Sequence, residues 1–179
     1  MSLFFSLRPS FYFTTLSDIQ IHWLEKQGIR GIILDLDNTI VSEDDRYLSP
    51  NVEAWLNQVT RNGIKIFLVS NGKRKTRFLY WTERFNLSGI QKARKPFRSG
   101  FQQAMRSMRL NLNQVAVIGD SLHTDILGAK FSNLMSIQVA SLPHPKRWWE
   151  NLIGAYIQIP YPKSYRLDFN RKGSHITHG

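Results

Sequence analysis

The sequence predicts an α/β domain with a mainly parallel central sheet. Three observations carry this prediction. Aliphatic-rich runs recur at 31–36, 64–69 and 115–118, the pattern of strands buried on both faces, and a last strand is expected at 135–139. Stretches with helical spacing of apolar residues lie between them, the alternation that builds parallel sheets. Polar residues gather where the runs end, at Asp35 and Asp37, at Ser70 and at Asp120. Ligands bind at that edge in open α/β sheets.

Taken in order, residues 1–16 read as an apolar, aromatic leader, with Phe4, Phe5, Leu7, Phe11, Tyr12 and Phe13 around Arg8 and Pro9. The leader lacks the basic start, long apolar middle and small-residue cleavage site of a secretory signal. Ser17 predicts the N-cap of a short helix through Lys26, and Gly28 its stop. The central strand follows at 31–36. The segment Ser42-Glu43-Asp44-Asp45-Arg46 reads as an exposed turn with solvated acids. Ser49-Pro50 predicts a helix start; Val52, Trp55, Leu56 and Val59 fall at helical spacing, and Gly63 closes the helix. A second buried strand spans 64–69 and ends in Ser70-Asn71-Gly72.

Residues 73–98 hold nine basic side chains and one acid, Glu83. The first part, to about Arg84, predicts a helix whose aromatics, Phe78, Tyr80, Trp81 and Phe85, alternate with charge. A short strand is expected at 90–93. Pro96 then opens a helix that places Phe101, Ala104, Met105 and Met108 on one face. After the strand at 115–118 come Gly119-Asp120-Ser121, and Thr124-Asp125 opens a helix to Phe131. The last strand is 135–139. Pro143 and Pro145 break the chain before Trp148, Trp149, Leu152, Ile153 and Tyr156. The expected division is a leader at 1–16, one domain at 17–160 and a basic, fraying tail at 161–179, in which His175 and His178 are solvated.

The chain carries 24 Lys+Arg against 13 Asp+Glu, a net charge of +11. That balance favours anionic partners: nucleic acid, an anionic membrane surface or a phosphorylated substrate. There is no cysteine, which excludes disulfides, thiolate metal sites and a cysteine nucleophile and fits a reducing compartment. No stretch approaches the roughly 18 uninterrupted apolar residues of a membrane span. The expected location is the cytoplasm or an organelle interior.

The chemistry starts from Asp35 and Asp37. A buried, unpaired carboxylate is costly, so two of them at the end of a buried strand need a reason. One carboxylate can attack an electrophile while the other handles protons, with a metal easing their repulsion. In a parallel sheet, successive carboxyl ends face one edge, so Thr39, Ser70, Lys95, Asp120 and Asp125 can converge there too. This inventory suits phosphoryl transfer from a monoester. That reaction needs an in-line nucleophile, charge neutralisation at the phosphoryl oxygens and an acid for the leaving oxygen. Carboxylates without histidine or cysteine ligands favour Mg²⁺.

Four stretches in order, DLDNT at 35–39, VSNG at 69–72, ARKP at 93–96 and GDSLHTD at 119–125, resemble the motifs of the haloacid dehalogenase-like (HAD) hydrolase superfamily of aspartyl-phosphate phosphatases. The resemblance implies a Rossmann-like three-layer sandwich. It makes Asp35 the nucleophile and Asp37 the general acid and then base, whose backbone carbonyl also reaches Mg²⁺. Thr39 would support that loop. Ser70, with help from Asn71, and Lys95 would bind the phosphate. Asp120 would share the metal with Asp35, and Asp125 would support the metal shell. The catalytic pattern is complete, so the resemblance implies an active phosphatase.

HAD caps are inserted between the first and second motifs or between the second and third. Here each gap has room for one helix-and-strand unit, so the site is expected to be capless and open to a bulky substrate. Length, layout and ILDLDNTIV are similar to the YqeG-type family of subclass IIIA, which is itself similar to phosphatidylglycerophosphate phosphatases. This implies removal of phosphate from phosphatidylglycerophosphate by a peripheral enzyme. The basic 73–98 stretch, the aromatic leader and Trp148-Trp149 fit an anionic lipid surface, while core packing of a final helix accounts for the tryptophans slightly better. Two other readings stand beside it. One is a soluble phosphatase of a sugar phosphate, nucleotide or phosphoprotein. The other is a basic nucleic-acid-binding module with a phosphate pocket, for which no recognisable motif is present.

Overall fold

The computed structural model of the chain describes residues 7–145, 154 and 156–162, together with the backbone of Asp168–Phe169. Phe4, Phe5, Trp148, Trp149, Leu152, Ile153, His175 and His178 lie outside the described residues.

Six parallel strands form the central sheet: β1 (Phe11–Phe13), β2 (Gly31–Leu34), β4 (Lys65–Val69), β5 (Ser88–Ile90), β6 (Val115–Gly119) and β7 (Met135–Val139). Their spatial order is β1-β7-β6-β2-β4-β5. After β2 the chain builds outward through β4 and β5, then returns to the other side of β2 with β6 and β7. The order therefore reverses beside β2, and the crevice at such a point is where open sheets hold ligands.

Alternation along the strands divides the core in two. Ile32, Leu34, Ile66, Leu68, Ala116 and Ile118 face Leu24 of α1 (Ile21–Lys26), Trp55 and Val59 of α2 (Val52–Arg61) and Trp81 of α3 (Lys75–Phe85). On the opposite face Ile33, Phe67, Val69, Val115 and Val117 pack on Phe101, Ala104 and Met108 of α4 (Arg98–Met108) and Ala129 of α5 (Leu127–Phe131). Helices on both faces of one parallel sheet make the three-layer sandwich expected from the sequence. Between Asp35 and Lys95 lie only β3 (Tyr47–Leu48), α2, β4, α3 and β5, so neither gap holds a cap domain.

Several local expectations shift. Phe11–Phe13, inside the stretch expected to be a leader, is the edge strand that pairs with β7. Thr15, not Ser17, caps a short 3₁₀ turn through a capping box with Asp18. Ile19 then runs extended and gives its carbonyl to the Trp55 indole, so α1 starts only at Ile21. Asn51 sits in the left-handed region (φ 53°), which delays α2 to Val52, beyond Ser49-Pro50. β5 lies earlier than the expected 90–93 because Lys92 (φ 54°) and Arg94 (φ 58°) cannot continue an extended strand. Phe97 caps α4, which begins at Arg98 rather than at Pro96. The fourth motif opens with a π-helical turn, Leu122–Ile126, and only then becomes α-helical. Within the expected tail, β8 (Asp168–Phe169) pairs antiparallel with β3.

Candidate active site

The carboxyl ends of β2, β4 and β6 deliver Asp35, Ser70 and Asp120 to one edge, where they line a cavity of about 520 Å³ together with Asp37, Arg77 and Lys95. Asp35 directly follows β2, and its N–H continues the sheet by donating to the Ile118 carbonyl at 2.9 Å. It is 6% exposed.

Lys95 organises the floor. Its ammonium donates to Asp35 Oδ1 at 2.5 Å and to Asp125 Oδ1 at 2.7 Å. Burial alone would lower the lysine pKa, but the Asp125 and Asp35 carboxylates outweigh it and raise it. Asp125 reaches this position from the π-helical turn, a form that recurs at functional sites. It packs so closely on Gly119 that a Cβ there would stand 2.3 Å from the Asp125 Cγ. Only glycine permits that approach.

Asp120 completes the acidic cluster. Its Oδ2 accepts from Ser141 Oγ and from Gln158 Nε2, both at 2.7 Å, and Gln138 donates to its backbone carbonyl at 3.0 Å. Burial and the nearby Asp125 push the Asp120 pKa up to about 6, against the Ser141, Lys95 and Gln158 contacts that lower it. Burial also raises the Asp35 pKa well above the usual carboxylate range, with Lys95 opposing.

Asp35, Asp120 and Asp125 each offer a carboxylate oxygen, and these oxygens lie within 4.8 Å of one another. Three buried carboxylates face the one buried ammonium of Lys95. The set is all hard oxygen and short of positive charge, which fits a hard divalent cation.

Asp37 stands on the other wall. Ser70 Oγ donates to its Oδ2 at 2.9 Å and accepts from the Gly72 N–H at 2.9 Å. The Arg77 guanidinium holds Asp37 Oδ1 at 2.5 Å. Thr39 Oγ1 makes a long contact, 3.4 Å, to Asp35 Oδ2. Asn71, expected to help bind phosphate, lines the cavity and grips the backbone of Lys95. Its Oδ1 accepts from the Lys95 N–H at 2.7 Å and its Nδ2 donates to the Lys95 carbonyl at 3.0 Å. One amide N–H is left over for the cavity.

The structure therefore brings Asp35, Asp37, Thr39, Ser70, Asn71, Lys95, Asp120 and Asp125 to one place. It also adds residues that sequence reasoning missed: Arg77, Asp45, Ser141 and Gln158. The segment 42–46 is not a solvated turn throughout. Ser42 is fully buried, and Asp45, 9% exposed, accepts from Arg77 Nε at 2.7 Å and from the Trp81 indole at 2.9 Å. A buried arginine on the facing helix is what draws this acid inward.

Comparisons with known proteins bear on the family and the fold. The family model described as haloacid dehalogenase-like hydrolase matches residues 18–133. The protein named Probable phosphatase YqeG of Bacillus subtilis (strain 168) is 36% identical over 121 residues, 66% of this chain and 70% of that one. An uncharacterized protein from Listeria monocytogenes serotype 4b superposes with a TM-score of 0.53 at 13% identity, over 78% of this chain and 86% of the other. The deoxy-D-mannose-octulosonate 8-phosphate phosphatase of Haemophilus influenzae, solved in a cobalt-bound form, gives 0.50 at 12% identity over 70% and 75%. These two structural likenesses concern the fold.

Proposed function

From the premise that this chain belongs to the haloacid dehalogenase-like hydrolase family, we propose that it is a Mg²⁺-dependent phosphomonoesterase working through a phospho-aspartate. The observation that carries the reading is the single lysine shared between Asp35 and Asp125 beside Asp120, with Ser70 and Asp37 opposite. An Asp35 carboxylate oxygen attacks phosphorus, and the bond from phosphorus to the ester oxygen breaks. Asp37 gives a proton to that leaving oxygen, then takes one from the water that hydrolyses the phospho-aspartate. Lys95 and the Ser70 hydroxyl hold phosphoryl oxygens. Asp35, Asp120 and the Asp37 carbonyl would hold Mg²⁺, with Asp125 supporting them. The ion supplies the positive charge that lets a carboxylate and a phosphate dianion share one site.

The substrate we propose is phosphatidylglycerophosphate, converted to phosphatidylglycerol and phosphate at a membrane surface. Support comes from the absence of a cap between Asp35 and Lys95 and from the loop that carries Lys95. That loop leaves Lys92 and Arg94 exposed, followed by Phe97, which is 68% exposed, and by the exposed Arg98 that opens α4. Lys73 and Arg74 stand at the cavity rim. Cations flanking an exposed apolar residue in the chain suit an anionic lipid surface.

The test is phosphate release from short-chain phosphatidylglycerophosphate beside a panel of small phosphate esters, with Mg²⁺, with chelator, and with Asp35→Asn. Expected is turnover of the lipid that chelator removes and that falls at least about 10⁴-fold in the variant, the scale of losing a catalytic nucleophile. Turnover of small esters with the lipid untouched overturns the substrate and keeps the mechanism. No turnover of any ester by folded protein overturns both.

A further inference from the structure

Arg77 lies in none of the four motifs, yet it is buried, 4% exposed, and aimed at Asp37. Its three nitrogens have three partners: Nη1 on Asp37 Oδ1 at 2.5 Å, Nε on Asp45 Oδ1 at 2.7 Å and Nη2 on the Ser42 carbonyl at 3.0 Å. The Trp81 indole also donates to Asp45 Oδ1, at 2.9 Å. The planar fork of an arginine is thus fixed on one side by the 42–45 loop and presents its remaining edge to Asp37.

The other oxygen of Asp37 is held differently. Ser70 Oγ donates to Asp37 Oδ2, and a serine hydroxyl has one proton to donate. If that proton turns to a phosphoryl oxygen, Oδ2 loses its donor while Oδ1 keeps Arg77. The geometry points to Arg77 as the positioning residue of Asp37: it clamps Oδ1, so that Oδ2 is the oxygen that passes the proton to the leaving group, and Asp45 holds the clamp. This inference rests on the phosphatase reading above and on Asp37 acting as the acid.

A residue that acts through the general acid matters most where the leaving group needs a proton. The experiment compares glycerol 3-phosphate, an alkyl ester with a poor leaving group, and 2,4-dinitrophenyl phosphate, whose leaving group departs as an anion. Arg77→Met is expected to lose about 10²–10³-fold in kcat/KM on the alkyl ester, within the range of about 10²–10⁴-fold of a general acid, and less than about tenfold in kcat/KM on the dinitrophenyl ester. The ratio kcat/KM ends at phospho-aspartate formation and leaves out the later step in which Asp37 serves both esters as base. Asp45→Asn is expected to show the same leaving-group dependence in weaker form. In Arg77→Ala, added guanidinium is expected to restore turnover of the alkyl ester. Should Arg77→Met fail to fold, as judged by its melting curve, Arg77→Lys and Asp45→Asn carry the same comparison. Equal losses in kcat/KM on both esters, or a loss on the alkyl ester carried by KM alone, overturn the positioning role and leave the phosphatase reading intact. A wild-type protein inactive on both esters and on the lipid instead overturns that reading and the Arg77 role with it.

Discussion

Asp120 shows how one residue's environment becomes a property of the whole protein. Its carboxylate is 2% exposed, and burial beside Asp125 raises its pKa to about 6, above the ordinary value of about 3.9 that the unfolded chain retains. The folded state therefore holds this proton more tightly than the unfolded state. The contribution is fully present below the unfolded pKa and is lost as pH rises through about 6. Asp35, also raised mainly by burial, acts in the same direction. In metal-free protein, stability is expected to fall between about pH 4 and pH 7, by a few kcal/mol at most for a shift of about two pKa units. Added Mg²⁺ is expected to raise the melting temperature more at pH 7 than at pH 5, because metal and protons compete for the same carboxylates. Thermal melts across pH, with and without Mg²⁺, check both; a flat metal-free profile would contradict them.

At the scale of elements, the acidic edge is held by pieces of chain distant in sequence. The π-helical turn Leu122–Ile126 presents Asp125, and Gly119 at the end of β6 lets it approach. Ser141 follows β7, and the segment around Gln158 returns to form bridges at Ser121 and Ser141. Both Ser141 and Gln158 lie beyond the 18–133 stretch matched by the family model, yet both donate to the same oxygen of Asp120. Hydrogen bonds of this kind orient a metal-binding carboxylate. Gln158→Leu keeps the volume and removes the donor. It is expected to weaken Mg²⁺ binding by about 10-fold or more, the low end for loss of an outer partner of a metal ligand. Calorimetric titration with Mg²⁺ reads this directly, and unchanged affinity would show that Ser141 suffices.

For the whole molecule, the question is where its positive charge sits. From Arg84 to Gly119 the chain contains no acid and seven basic residues, Lys95 among them. Lys95 turns inward, while Lys92 and Arg94 on the same loop, and Arg98 at the start of α4, stay exposed on either side of Phe97 in the chain. Among the described residues, no helix is long and apolar enough to cross a membrane. The protein is expected to co-sediment with vesicles rich in phosphatidylglycerol and not with phosphatidylcholine vesicles, and to release at high salt. Each basic side chain near an anionic leaflet is worth about 1 kcal/mol. Arg94→Gln with Arg98→Gln should therefore lower vesicle affinity at least about tenfold, and leave hydrolysis of a small soluble ester unchanged. Equal binding to both vesicle types would remove the membrane from the proposal.

Much of this was readable along the chain. Buried parallel strands are continuous apolar runs, and polar residues at their carboxyl ends must share an edge. That is why Asp35, Ser70 and Asp120 could be placed together, with Lys95 and Asp125 beside them, across gaps of tens of residues. The element ends were less legible, because left-handed residues such as Asn51 before α2 and Arg94 after β5 depend on what the neighbouring turn must reach. Arg77 was invisible in a different way. It is one of nine basic side chains in 73–98, and nothing local separates it from Arg74 or Lys75. It becomes distinct only when α3 packs with that position facing Asp37 and Asp45. Asp45 looked solvated for the same reason, since its partner is 32 residues away. Gln158 meets Asp120 across 38 residues, with no periodic pattern to announce the meeting. Strand ends follow from local hydrophobic pattern, whereas which charges are buried against each other follows from how helices and returning segments pack on the sheet.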